Sequence, residues 1–491
     1  MTPPPGLRIF NTLTRQTEPF VPRRSGRVGM YVCGVTVYDL CHIGHARSAI
    51  VFDVIQRYLR ASGYDLTFVK NFTDVDDKII TRANAEGVSA TALAERYIDE
   101  FHVDMASIGV AAADVEPKAT DHIPEMIALV ERLIARGVAY TINGDVYFEV
   151  GRFPRYGALS GKNLDDLLAG ARVDIDERKR DPRDFALWKS AKPGEPAWPS
   201  PWGPGRPGWH IECSAMAMKY LGDSFDLHGG GEDLIFPHHE CEIAQSEAAT
   251  GVPFVRVWVH NGFVNLGAEK MSKSLGNVLT IRELAARYPA DALRLWLLNT
   301  HHRNPIEFSE ERLRENARAL ERLHAVIVDA RLRTPVEFFD APPPARFGDP
   351  APWRAPLEAL GADEPMRRIV ADAAETFERA MDDDFSTPEA RAVLFSLARA
   401  VDAHRRDGGD PGAFAQGVRA LVQMGRALGL FEQLPDVSGP PPDIERLVLD
   451  RTIARTQRDW KRADELREEI QRAGWAVEDT PSGPRVTRRG T

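Results

Sequence analysis

Cysteine is scarce in this chain. Four residues in 491, at positions 33, 41, 213 and 241, are too few and too scattered for a disulfide framework, so a reducing cytoplasm is expected. No run of about 18 apolar residues occurs, which excludes a membrane-spanning helix. The N-terminal Pro3-Pro4-Pro5-Gly6 lacks the apolar core of a signal peptide. Excess positive charge is missing as well: 62 basic against 72 acidic side chains give a net charge of −10. That argues against an indiscriminate nucleic-acid binder and leaves room for a local basic patch. Internal repeats are absent too. What remains is a globular composition long enough for three or four domains.

The chain is organised around Met30 to His45. Apolar and β-branched residues from Val28 to Tyr38 predict a buried strand, broken at Gly34 where a backbone must come close to something. His42-Ile43-Gly44-His45 then opens a helical pattern carried by Ala49, Ile50, Ile55 and Leu59. A strand feeding a helix through such a turn aims backbone N–H groups and a positive dipole end at one place, which suits phosphate. Two histidines three apart share one side of the first turn, and both can donate to it. Four residues alone are equally consistent with an ordinary helix start. Far downstream, Lys270-Met271-Ser272-Lys273-Ser274, followed by Leu275-Gly276-Asn277, places two lysines among hydroxyl residues in a glycine-flanked loop. That composition suits a mobile clamp on polyphosphate.

His42-Ile43-Gly44-His45 with Lys270-Met271-Ser272-Lys273-Ser274 resembles the paired signatures of class I aminoacyl-tRNA synthetases. Tyr31 to Tyr38, Asn71 to Lys78, Gly208 to Ser214 and Phe236 to Glu240 narrow the resemblance to the cysteinyl-tRNA synthetases, over nearly the whole chain.

The fold class expected is α/β: a Rossmann-like doubly wound parallel sheet with an insertion, then an α-helical bundle and a small C-terminal α+β anticodon-binding domain. Strand, helix, strand from Val28 to Phe72 argues for a parallel sheet with ligands at its carboxyl ends, near Thr73 and Asp74. Residues 1–113 form the first catalytic half. Residues 114–208 form a connective insertion, with a hairpin signalled at Asn143-Gly144 and loop over Asp174–Arg183 and Lys192–Gly208; the resemblance implies that it contacts the acceptor end of tRNA. In the second catalytic half, 209–308, Phe225–Leu227 reads as a short strand, His228-Gly229-Gly230-Gly231 as a sharp turn, and Pro237 as the first residue of a helix. Helices dominate 309–434, and Pro435–Pro442 is a linker before 443–491.

The resemblance assigns zinc to Cys33, Cys213, His238 and Glu242, two thiolates, an imidazole and a carboxylate, one ion per chain. The residues alone leave each cysteine open to a packing role, free cysteine being a small hydrophobe; packing is the role expected for Cys41 and Cys241. His239 and Glu240 are expected to support the ligands. In the family the metal binds the substrate's sulfur. Selection by a metal has a physical basis, because an apolar pocket separates near-isosteres by only about 10- to 200-fold.

The implied reaction joins L-cysteine to ATP, accompanied by Mg2+, as cysteinyl-adenylate, then transfers it to tRNA(Cys). His42, Gly44, His45, Lys270, Ser272 and Lys273 would bind ATP, with both histidines and both lysines carrying catalysis. Gly34, Thr73, Trp209 and His228 would complete the amino-acid pocket, although Trp209 equally suits packing at a helix start. Arg455, Trp460, Asp464 and Asp479 are the anticodon candidates; an ordinary amphipathic helix there is the alternative. A monomer is expected. Two rivals stand beside this activity: a same-fold ligase joining cysteine to an amino sugar, which would need no anticodon reader, and a zinc-stabilised RNA-binding protein without catalysis. A zinc deaminase suggested by His210-x-Glu212 is discarded, since no Pro-Cys-x-x-Cys accompanies it.

Overall fold

A computed structural model of the chain describes residues 6–161, 178–266, 269–270, 279–341, 344, 347–437, 440–480 and 483–488. Ser272 and Lys273 lie outside the described residues, and of Lys270 only the backbone is described. Of the loop expected at 174–183, residues 174–177 are likewise outside them.

The centre is a parallel sheet ordered β10-β9-β3-β4, built from β3 (Arg27–Thr36), β4 (Asp65–Thr73), β9 (Phe225–Gly231) and β10 (Val255–Asn261). A short antiparallel hairpin, β1 (Arg8–Asn11) with β2 (Gln16–Pro19), precedes it. Alternate side chains of β3 go to opposite faces, as a two-residue period requires. Val28, Met30 and Val32 pack with α1 (Ile43–Ala61), while Tyr31 joins the second core with the helices Trp209–Leu221 and Glu240–Thr250. Helices therefore cover both faces. The chain winds outward from β3 to β4 on one side and from β9 to β10 on the other. The topological switch point falls between β3 and β9, whose carboxyl ends open the crevice where such sheets hold ligands.

The insertion carries a separate antiparallel sheet, β5 (Ala139–Ile142), β6 (Asp145–Phe148), β7 (Phe185–Ser190) and β8 (Gly205–Pro207), in that order. Asn143 and Gly144, both at positive φ (50° and 90°), make the two-residue turn that their sequence announces. The Lys192–Gly208 stretch is not all loop. Its β8 pairs with β7, Trp188 opposite Pro207, because a proline at an edge position need not donate to a ladder.

Two expectations fail in the second half. His228-Gly229-Gly230-Gly231 is no turn: β9 continues through it, paired with Trp258 to Asn261 of β10. Glycine is there for proximity, since a Cβ on Gly229 would sit 2.1 Å from the Phe52 ring of α1. Nor does Pro237 begin an α-helix. Ile235–His239 forms a π-type turn with Phe236 extended, and the α-helix proper runs Glu240–Thr250.

The helices Glu310–Arg331, Pro365–Asp382, Thr387–Arg406 and Pro411–Ala427 pack as a bundle. It meets the nucleotide fold at Arg294, which is ion-paired in the interior with Asp53 on α1 and donates to the carbonyls of Leu428, at the end of the last bundle helix, and Gly109. After the linker, helices Pro442–Thr456 and Trp460–Arg472 and the antiparallel strands Trp475–Thr480 and Gly483–Arg488 share a small core of their own. No described helix is long and apolar enough to cross a membrane.

Gly229→Ala should drive a methyl group into Phe52 and lower the unfolding free energy by about 1–3 kcal/mol. Urea titration of the variant measures this, and an unchanged midpoint would show that α1 can recede.

Candidate active site

A cleft of about 510 Å³ opens at the switch point. Cys33, Gly34 and Trp209 line one part of it, and His42, Gly44 and His45 line another.

At the phosphate end, His42 caps α1 from an extended conformation. Its Nδ1 accepts from Gly44 N–H at 3.1 Å, and Nδ1 of His45 accepts from His42 N–H at 3.2 Å. The rings stack with centroids 3.8 Å apart. With both Nδ1 atoms acting as acceptors, the neutral tautomer carries its proton on Nε2 in each ring, so both present a donor. The described residues that flank the downstream motif are held by backbone pairing, those after it beside the histidines. Ile43 N–H donates to Leu279 O, Ile281 N–H donates to Cys41 O, and His42 bridges Thr280. At its other end, Lys270 pairs with Asn265. Leu279 and Thr280, just beyond the lysine motif, are thus tied beside the histidines.

At the other end, a bulge between Val32 and Val35 turns Cys33 and Gly34 out of the β3 ladder. Gly34 N–H donates to Asn71 Oδ1 at 2.9 Å, and a Cβ at Gly34 would fall 1.5 Å from the Asn71 carbonyl oxygen. No other residue fits this approach. Cys33 Sγ lies 3.4 Å from Cys213 Sγ and 3.3 Å from Glu242 Oε1, and His238 Nε2 lies 3.1 Å from the same oxygen. A tetrahedral ion with bonds of about 2.0–2.3 Å has edges of about 3.3–3.8 Å, close to these separations. His228 and His239 form a second grouping with Cys33 and Glu242. However, His228 Nε2 holds the other carboxylate oxygen, Oε2, at 2.9 Å, and His239 Nδ1 is engaged by His260 at 2.8 Å. Oε1 is therefore the oxygen turned toward Cys33 and His238.

The electrostatics suit a cation. Glu242 is fully buried, which disfavours its charge, yet His228 and His238 hold it well below the usual carboxylate range. Burial and the neighbouring Cys213 push Cys33 up. Burial also opposes ionisation of Cys213, but hydrogen bonds from Cys33 and His238 bring it down to about 6. His238 is raised to about 10, Cys213 and Glu242 outweighing its burial. Two thiols, an imidazole and a carboxylate with a depressed pKa are soft and borderline donors that gain by neutralising a cation, so the donor set fits zinc. His210, held by burial down to about 3, offers its Nδ1 as acceptor to His238 Nδ1–H at 3.0 Å, which orients the imidazole.

Several expected residues stand elsewhere. Thr73 is buried and donates to Glu212 Oε2 at 2.8 Å, away from the cleft, and Asp74 accepts from Thr120 of the insertion. His228 is fully buried behind Glu242, stacked on Trp258, and does not line the cleft. Glu240 does not support the ligands; it accepts from Leu159 and Ser160 N–H and anchors the insertion. His239 Nε2 lies 3.3 Å from Cys33 Sγ. Trp209 lines the cleft with its ring 4.3 Å from that of His238. Cys41 is packed in the core, and Cys241 lies against Tyr156 OH. In the C-terminal unit, Asp479 pairs with Arg451 and Arg455, and the Arg455 guanidinium lies 5.6 Å from the exposed Trp460 ring. Asp464 acts on the same arginine, Arg451, through its charge. Missed from sequence were Asn71, which fixes Gly34, and the cleft residues Lys70, Asp233 and Asn261.

Residues 19–318 match the profile of the class I (C) tRNA synthetase catalytic domain. Residues 376–432 match the DALR domain, and 438–485 the cysteinyl-tRNA ligase anticodon binding domain. A cysteine–tRNA ligase of Pelobacter propionicus is 52% identical over 97% of this chain and 98% of its own length. The chain belongs to the cysteine–tRNA ligase family. Another member, from Geobacter sulfurreducens, is 50% identical over 97% of this chain and 98% of its own. Among solved structures, methionyl-tRNA synthetase of Mycobacterium tuberculosis shares the fold at TM-score 0.56 and 18% identity, covering 82% of this chain and 89% of that one. The leucyl enzyme of Agrobacterium radiobacter does so at 0.58 and 13%, covering 84% and 85%. Family membership removes the RNA-binding protein without catalysis from consideration, because both phosphate-binding motifs accompany a full-length match.

His42 has two separable tasks, as helix cap and as donor into the cleft. His42→Asn keeps a capping acceptor and should be more stable than His42→Ala by about 0.5–2 kcal/mol. Both should lose ATP-dependent activity; equal thermal midpoints for the two variants would remove the capping role.

Proposed function

We propose that this chain activates L-cysteine with ATP and transfers it to tRNA(Cys), with zinc selecting the substrate thiol. One observation carries this: a single cleft joins a buried thiol, imidazole and carboxylate cluster to a pair of stacked histidines at a helix N-terminus. The amino acid is placed with its sulfur toward Cys33, Cys213, His238 and Glu242 and its carboxylate toward the histidines. That carboxylate attacks the α-phosphate, pyrophosphate leaves, and a terminal ribose hydroxyl of tRNA later attacks the mixed anhydride. The protein's work is positioning and charge stabilisation.

His42 and His45 donate through Nε2 to phosphate oxygens. Lys270 and Lys273 offset charge on the departing pyrophosphate, with Mg2+ accompanying ATP. Zinc, when bound, supplies a soft Lewis acid that prefers a thiolate to a hydroxyl. Gly34 lets the substrate approach the backbone, and Trp209 closes the pocket over His238.

The domain boundaries at 113, 208, 308, 434 and 443 belong to the same proposal. In it, Arg455, Trp460, Asp464 and Asp479 contribute to the anticodon surface; the contiguity of Arg455, Trp460 and Asp479 supports a base-stacking platform. A monomer acting in the cytoplasm completes it.

Pyrophosphate exchange with cysteine should exceed that with serine by more than about 200-fold, the limit of an apolar pocket. Metal analysis should find about one zinc per chain, falling sharply in Cys213→Ala. Zinc-free protein that activates serine equally would refute the selection. Truncation after residue 437 should spare exchange and abolish charging, whereas the amino-sugar ligase would keep its activity without that unit.

A further inference from the structure

We propose that Lys70 is a further anion-binding residue of this cleft, reserved for the terminal phosphates of ATP and the pyrophosphate that leaves. The inference rests on the activity proposed above. Lys70 stands in β4 opposite Val32 of β3, so its side chain shares the sheet face covered by α1, whereas Cys33 packs toward the other face. It reaches the cleft beside His42, His45 and Ser48. Its ammonium lies 4.9 Å from the Phe101 ring centroid. Among the described residues no carboxylate pairs with it and no hydrogen bond reaches Nζ.

The acidic groups nearest in charge are occupied. Asp53 is held by Arg57 and Arg294, and Glu116 faces His102. Burial accordingly lowers the pKa of Lys70. A half-buried ammonium without a counter-ion is costly in a folded chain, and its side chain also borders a second cavity of about 280 Å³ behind the cleft. An isosteric methionine would pack there without that cost. An anion arriving in the cleft supplies the missing partner, and a lysine point charge suits phosphate.

The position selects which anion. The amino-acid end, marked by Cys33 and Trp209, lies on the opposite side of β3, while α1 aims its N-terminal amides and both histidines at the side Lys70 serves. The polyphosphate is the group that this side receives. The 3′ backbone of tRNA is the competing anion, and kinetics separates the two.

The test compares Lys70→Met, Lys70→Gln and Lys70→Arg with wild type in cysteine-dependent pyrophosphate exchange, pyrophosphate inhibition and tRNA charging. K70M should raise KM for ATP and the inhibition constant of pyrophosphate about ten- to hundredfold. Its KM for cysteine should be unchanged and its thermal midpoint equal or higher, and K70R should recover most of the loss. Unchanged ATP and pyrophosphate constants overturn the proposal. So does a defect confined to KM for tRNA, which would assign Lys70 to the nucleic acid. If K70M folds poorly, K70R against K70Q decides the matter: equal constants refute the assignment, and recovery only in K70R supports it. Wild type without cysteine-dependent exchange removes the parent activity; active wild type with an indifferent K70M removes Lys70 alone.

Discussion

A carboxylate buried away from water, that of Glu242, is the constraint the rest of the site answers to. Such a charge is expensive unless every lone pair is engaged. His228 takes one oxygen; the other faces His238 and Cys33. Each partner comes from a different element, and the low pKa of the carboxylate depends on His228 of β9 and His238 of the π-type turn both being in place. Folding and assembly of the cluster are one event. The helix Trp209–Leu221 then adds Cys213 from above the sheet.

The same economy governs the backbone. Gly34 against Asn71 lets strand approach strand, and Gly229 against Phe52 lets strand approach helix, more closely than any side chain permits. The first approach exposes the bulge that carries Cys33, and the second seats α1 on the sheet. Because α1 begins at His42, its seating also fixes the two imidazoles. Backbone bonds from Cys41 and Ile43 to Leu279 and Ile281 hold the stretch after the lysine motif at that point. The histidine pair and the thiol, imidazole and carboxylate cluster thus meet at one crevice between β3 and β9. Arg294 joins the helical bundle to Asp53, in the middle of α1, so the catalytic helix is braced at both its start and its centre.

Local patterns were legible wherever chemistry and spacing coincide within a few residues. The Asn143-Gly144 hairpin, the helix opening at His42 and the doubly wound order all follow from periodicity and turn residues. Composition misled where one residue type serves two ends. The glycines after His228 read as a turn and prove to be strand, because glycine marks close packing as often as reversal. Pro237 suits a helix start and instead sits in the turn before one.

The sequence by itself determined most of the elements, the motifs at His42 and Lys270 and, through its resemblance, the four side chains of the thiol, imidazole and carboxylate cluster. It could not say how those side chains meet. Ligand atoms contributed by residues 33, 213, 238 and 242 come within bonding range only through the strand order β9-β3-β4 and a bulge of one strand, both of which are properties of pairing across the fold. For the same reason only the tertiary structure set Thr73 against Glu212, turned Asp74 and Glu240 to the seam with the insertion, and brought Lys70, unremarkable inside an apolar run, to the wall of the cleft. Burial and the direction a side chain faces are decided by what lies across the sheet, which a linear pattern does not record.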